Sequence, residues 1–384
     1  MLPLFRRWVL VSGLVVLGGV ALAANDQTLT EQELIEEAVA AYSLGDYAKA
    51  EARLSELIER RPEFAEGYFN RSLTRYALEK LAEAESDLDV YLSMEPEAAK
   101  AFEFRSVVRM YQGKVEGALA DATVGLRIEE RPGFRAVRGR VLAAKGEYEA
   151  ALTDLEIAVA TNEGDDDSRL ARGRSYLNLG RSEEARADFE KLAERYPEEW
   201  SVIYALSDVR FRLLDFAGTI EALERLRKID QSEAVVTRQL GYCHFAAGDN
   251  DRAIEALQQV LDSVPEESPW AAAVLHLAWL RAKRPGESPL AGVVERIEDP
   301  WGKAVCQMLL KQIGEDELVE EAHAEKDPRK QRGRLCEAYY YIGASRLLAG
   351  DRIAGRAMLS QAIETNSFSY TEYTLAKADL ARKL

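Results

Sequence analysis

Arg138–Gly146 reads RGRVLAAKG, and 34 residues later Arg172–Gly180 reads RGRSYLNLG. Both nonapeptides run into a short acidic stretch and then an alanine-rich run. Aligned on the closing glycine, the recurrence extends both ways as Gly45, Glu79, Gly113, Gly146, Gly180, Leu214 and Gly248, in steps of 34, 34, 33, 34, 34 and 34 residues. A fixed period of this length marks an array in which each unit buries its apolar face against its neighbours.

Two further positions keep the same register. Five residues after the landmark stands Ala50, Ala84, Ala118, Ala151, Ala185, Thr219 or Ala253, and seven before it stands Ala38, Ser72, Ser106, Gly139, Gly173, Ser207 or Gly241. Antiparallel helices joined by a tight turn approach closely only where the side chains at their crossing are small, and a glycine suits the turn. Leu54, Leu88, Leu155, Phe189, Leu223 and Leu257 recur at one place in the second helix, with Ala122 in the third unit. Pro62, Pro96, Pro197 and Pro265 stop one unit and start the next.

On these residues the chain resembles the tetratricopeptide repeat (TPR) family, most closely in GDYAKAEARLSELIERRP (45–62) and LGYCHFAAGDNDRAIEALQQVLDSVP (240–265). The resemblance implies an all-α fold, a right-handed superhelix (α-solenoid) of antiparallel helix pairs. Seven units begin near Glu31, Ala65, Ala99, Pro132, Asp166, Trp200 and Ala234 and span 31–265, after a short segment at 24–30. Ser268-Pro269, Ser288-Pro289 and Asp299-Pro300 each put a capping residue before a proline, so 266–327 is expected to hold degenerate helical hairpins with Trp270, Trp279 and Trp301 in the core. A repeat returns at Cys336–Thr365, within a last segment of 328–384. That segment closes with a capping helix over 370–384, whose Tyr373, Leu375, Ala376 and Leu380 share a face. YYYIGASRLLAGD and EYTLAKADL also resemble the end of NlpI-type bacterial envelope lipoproteins, over about fifty residues; those proteins adapt peptidoglycan hydrolases to a protease.

The first residues do not belong to the array. Arg6 and Arg7 precede an uncharged apolar run from Trp8 to Leu22, and Ala21-Leu22-Ala23 fits a cleavage site, so 1–23 reads as a secretory signal peptide. The run is short for a bilayer span of about 20 residues, so export to a bacterial periplasm or beyond is expected, with no transmembrane domain in the mature chain and a retained membrane anchor as the minor alternative. With 66 acidic against 50 basic residues and a net charge of −16, the chain repels nucleic acid and anionic lipid. Cys243, Cys306 and Cys336 are odd in number and sit in apolar contexts, which points to core packing, with a Cys306–Cys336 bridge as a minor alternative.

Arg71, Arg105, Arg138 and Arg172 share one repeat position, and Asp87, Asp121, Asp154 and Asp188 share another. Matched series of this kind are expected to pair between packed helices, within or between units, rather than to bind an acidic peptide. The resemblance places the partner-binding groove on the first helices, at Phe69, Asn70, Tyr76, Phe104, Tyr111, Arg140, Arg174, Asn178, Tyr204, Phe211, Arg212, Arg238, Tyr242 and Phe245. Aromatic and arginine side chains suit such a surface because they bury much area and keep a polar handle. His244, His276 and His323 form no metal-ligand spacing, and Glu163, Asp165, Asp166 and Asp167 lack the calcium-loop pattern. No catalytic residue, metal or cofactor is expected. The reading is a non-enzymatic scaffold or adaptor for a peptide or helix of an envelope protein, with a structural subunit of an envelope assembly or an NlpI-like hydrolase regulator as the alternative.

Overall fold

The computed structural model describes residues 29–229, 234–263 and 269–382. The expected leader, most of 24–30, the Pro265 stop and the Ser268 cap lie outside the described residues. The chain divides into two compact units, Met1–Ser175 and Tyr176–Leu384.

Among the described residues of the first unit all regular elements are helices, in consecutive antiparallel pairs. These are α1 (Glu31–Ser43) with α2 (Tyr47–Arg60), α3 (Ala65–Ala77) with α4 (Leu81–Met94), α5 (Ala99–Tyr111) with α6 (Val115–Ile128), and α7 (Pro132–Lys145) with α8 (Tyr148–Thr161). Helix α9 (Asp166–Asn178) runs across the division. The second unit continues with α10 (Ser182–Arg195), α11 (Trp200–Arg212), α12 (Phe216–Ile229), α13 (Ala234–Ala247) and α14 (Asn250–Ser263). After these come α15 (Pro269–Arg281), a one-turn α16 (Leu290–Val293), α17 (Pro300–Leu309), α18 (Glu315–Ala324), a long α19 (Pro328–Leu348), α20 (Arg352–Glu364) and α21 (Thr371–Ala381).

The landmark position ends the first helix of each pair in the left-handed region. Gly146 has φ 81° and its N–H returns to the last turn of α7. Glu79 and Leu214 stand at the same turn without glycine's freedom and still adopt φ 63°, so the pairing geometry overrides their preference. The small residue seven places earlier marks the crossing. A Cβ on Gly241 would lie 2.6 Å from Leu257, and one on Gly139 2.7 Å from Leu155. The recurrent leucine therefore fills the space that the small position leaves open.

Three members of the arginine and aspartate series pair inside their own helix pair. Arg71 holds Asp87 with two bonds of 2.7 and 3.0 Å, Arg105 holds Asp121 at 2.7 and 2.9 Å, and Arg138 holds Asp154 at 2.6 and 2.8 Å. A second series, not singled out above, joins neighbouring pairs. Arg75 reaches its own Asp87 (2.8 Å) and Glu51 of the preceding pair (3.0 Å); Arg109 does the same with Asp121 (2.7 Å) and Glu85 (2.8 Å). Burial raises the cost of charging Glu85, but Lys114, Arg109 and Gln112 outweigh it and hold the carboxyl down at about 2.

The region after α14 keeps helices but loses the period. Asp299 caps α17 by accepting from Gly302 N at 2.9 Å, with Pro300 in the first turn. The helix after Ser288-Pro289 begins at Leu290 and lasts four residues. Trp301 is buried, and Trp270 is partly buried against the same core and stacks on Tyr341. Trp279 is only half-buried, a correction to its expected place in the core. Cys243, Cys306 and Cys336 are free and buried, so no Cys306–Cys336 bridge forms. Burial pushes the Cys243 and Cys306 thiols up to about 12, which leaves them packed as small apolar side chains rather than poised as nucleophiles.

Candidate functional site: the first-helix faces

In the first unit the expected groove residues do converge. Phe69 on α3 meets Phe104 on α5 with ring centroids 6.2 Å apart; Phe104 meets Tyr76 at 5.4 Å, and Tyr76 meets Tyr111 at 5.9 Å. Arg140 on α7 follows, 3.6 Å from Asp167 on α9. Burial raises the pKa of Asp167 and of Glu103, with the Arg140 charge opposing the shift in both. Arg174 is exposed.

Within this strip Tyr76 (8% exposed) and Phe104 (7%) are buried, so they hold the strip together from beneath instead of presenting an open surface. Phe69, Asn70, Tyr111 and Arg140 keep partial exposure. Beside them α1, α2 and α3 border a small, mostly apolar recess lined by Ile35, Val39, Tyr42, Leu57, Phe64 and Leu73 among others. Asn70 lines it too, and its buried Oδ1 accepts no hydrogen bond from the described residues. An acceptor left so is costly, by about 1–3 kcal/mol, until a donor arrives.

The second unit differs. Tyr204 stacks on Trp200 at 4.9 Å, and Arg238 and Asn178 are half-buried. Phe211 (2% exposed), Tyr242 (5%) and Phe245 (0%) belong to the core, which corrects their expected exposure. They share that core with Leu375, Ala376 and Ala378 of α21. Arg212 donates to the carbonyl of Phe368, just ahead of α21, and pairs with Asp208 at 3.0 Å. Where a partner was expected, the chain's own carboxyl-terminal helix lies.

Among the described residues no group of three or more His, Cys, Asp or Glu could hold a metal ion. Asp165 caps α9 by accepting from Ser168 N at 3.1 Å, and Asp167 faces Arg140. Burial pushes His276 down to about 4, and its Nδ1 lies 2.6 Å from Ser288 Oγ, so it acts as a neutral structural side chain. No helix among the described residues is long and apolar enough to cross a membrane.

Models of the tetratricopeptide repeat match residues 35–99, 136–199, 170–234 and 215–277. The chain is 24% identical over 132 residues to anaphase-promoting complex subunit 3 of Schizosaccharomyces pombe, which is 34% of this chain and 20% of that protein. It therefore spans about a fifth of the length of that relative. Among solved structures it is similar to a tetratricopeptide repeat protein from Parabacteroides merdae (TM-score 0.47, 21% identity, 65% of this chain and 98% of that one). It is also similar to YrrB, described as a TPR protein with an unusual peptide-binding site (TM-score 0.40, 23% identity, 48% of this chain and 95% of that one).

Proposed function

Because the chain belongs to the tetratricopeptide repeat family, whose arrays act as protein-interaction scaffolds, we propose that it is a non-enzymatic adaptor that takes a peptide of an envelope protein on the first-helix face of its first unit. The observation that carries this reading is Asn70, which lines a mostly apolar recess next to Phe69 and whose buried Oδ1 accepts no hydrogen bond among the described residues. The recess takes the tip of an apolar side chain, Asn70 turns its amide to meet an N–H of the same segment, and the half-buried aromatics supply area with a polar edge. The apolar run at Trp8–Leu22 and the small residues behind it support export of the mature chain. The acidic balance disfavours nucleic acid as the partner.

The test is crosslinking and capture by the full mature chain in its native envelope extract, beside Asn70→Ala and Ile35→Arg. Both positions are partly exposed, so these variants probe the surface, whereas Phe104→Ala or Phe211→Ala hollows the core. We expect the principal partner of the wild type to fall at least about tenfold in each variant, the loss of one well-made contact. A partner retained by both variants overturns the recess as the site and favours a subunit held through the opposite face.

A further inference from the structure

The segment 367–382 packs on α19 and α20, the pair that precedes it, and from there also reaches the ends of α11, α13 and α15. Lys377 Nζ donates to the carbonyl of Arg212, the last residue of α11, at 3.3 Å. Arg382 donates to the carbonyl of Phe245 at 2.7 Å and to that of Ala246, both in the last turn of α13. Asp379, 1% exposed, accepts from Arg281, the last residue of α15, and from Arg382 at 2.8 Å. The carboxyl end of a helix leaves carbonyls without intrahelical donors and carries partial negative charge, so a lysine or an arginine is the side chain it attracts. Three successive first helices thus read two side chains of α21 and that of Arg382, the residue that follows it. Ahead of the helix, the Phe368 ring covers the turn at Gly180, where a Cβ would come within 2.8 Å of it, and meets Tyr373 edge-on at 5.2 Å.

The buried side of α21 is polar for a permanent cap. Glu372, Thr374 and Asp379 are buried along with Leu375, Ala376 and Ala378. Taking carboxyl groups out of water costs free energy that leucines in their place would not, and directional bonds offset it. A contact made this way specifies its occupant more than it fixes it.

We propose that this face of the second unit is a docking site for an amphipathic helix with the pattern Lys-x-Asp-x-x-Arg, and that residues 367–382 occupy it as a ligand in cis which a partner helix of the same pattern replaces. The proposal does not rest on the recess of the first unit. Its occupant is defined by chemistry: two cations five residues apart for the carboxyl ends of α11 and α13, and an acid between them for Arg281.

The test uses the full chain and a labelled peptide of residues 367–384, followed by fluorescence anisotropy. In the chain carrying Lys377→Ala and Arg382→Ala the resident helix is weakened, and the peptide should bind saturably, at least about tenfold more tightly than to the wild type, where the resident helix competes. A peptide carrying the same two substitutions should not bind. Ile35→Arg should leave peptide binding unchanged, which separates this site from the first-unit recess. Equal binding to both chains, or none to either, overturns the proposal. So does an α21 that exchanges its amide hydrogens in the wild type only as slowly as α19; faster local opening of α21 is expected, and this reading holds even if the double variant fails to fold. Exchange of α21 between copies, seen as a dimer in size exclusion, overturns it in favour of self-association.

Discussion

At the scale of single residues, the charge ladder shows how a repeat position becomes a structural contact. Asp121 is 3% exposed and receives Arg105 through both oxygens and Arg109 through one. Three donors satisfy the carboxylate, so the cost of burying it is met by directional bonds rather than by attraction alone. Replacing Arg105 by alanine leaves Asp121 short of its bidentate partner and leaves Asp89, which Arg105 also holds at 2.7 Å, only Arg109 at 3.7 Å. We expect a loss of about 3 kcal/mol in urea denaturation, the range for breaking a buried pair. An unchanged midpoint would show that Arg109 alone suffices. The pairing of Arg71, Arg105 and Arg138 with their aspartates was legible in the sequence because each series keeps the period. The bridges from Arg75 and Arg109 to Glu51 and Glu85 were not read, although they recur too; their partners lie 24 residues back, in the preceding pair.

At the scale of the helix pair, the turn was the most legible feature. The backbone there must take a positive φ, and glycine is the residue that does so without a Cβ clash. The two exceptions make the point quantitative. Glu79 is exposed and holds φ 63°, a conformation that costs a side-chain-bearing residue about 1 kcal/mol or more. Glu79→Gly is therefore expected to stabilise the protein by about 1 kcal/mol, less the unfolded-state entropy that glycine adds. A higher thermal midpoint would check this, and a lower one would place the preference elsewhere in the turn. Leu214 has the same φ but also packs against the core of the second unit, so its side chain offsets the strain. The groove positions were harder to read. Phe104, Phe211 and Phe245 carry the residue type of a contact surface, yet neighbouring helices of the chain itself cover them. A large aromatic on a first helix is called for equally by a partner and by a neighbour, and composition does not separate the two.

At the scale of the whole molecule, the second unit carries a feature with a pH signature. Glu337 accepts from Trp301 Nε1 at 2.7 Å and Glu372 from the Tyr341 hydroxyl at 2.9 Å, both buried. Burial raises both carboxyl pKa values above the ordinary 4.5; for Glu337 the Glu372 and Asp299 charges add to it while Trp301 and Arg334 oppose it. The unfolded chain releases these protons near the ordinary value and the folded chain keeps them to higher pH. Between those limits the folded state binds more protons, so stability is full below about pH 4.5 and falls as pH rises. Glu337→Gln keeps an acceptor for Trp301 and removes the titration. Its thermal midpoint should match the wild type near pH 5 and exceed it by a few degrees near pH 8. Equal midpoints at both would mean that the pair is ionised in the folded chain.

The sequence by itself determined the period, the helix pairs, the left-handed turn and the small residues at each crossing. Those depend on backbone conformation and on neighbours a fixed number of residues away, and a 34-residue register records them directly. Only the tertiary structure decided what fills the faces those pairs create. Lys377, Asp379 and Arg382 read as an ordinary polar helix end until stacking brings them onto helix ends 165 and 137 residues earlier in the chain. Which faces stay open, as beside Asn70, and which the chain covers itself follows from the packing within each unit. Contacts between residues so far apart in the chain leave no mark at any one position.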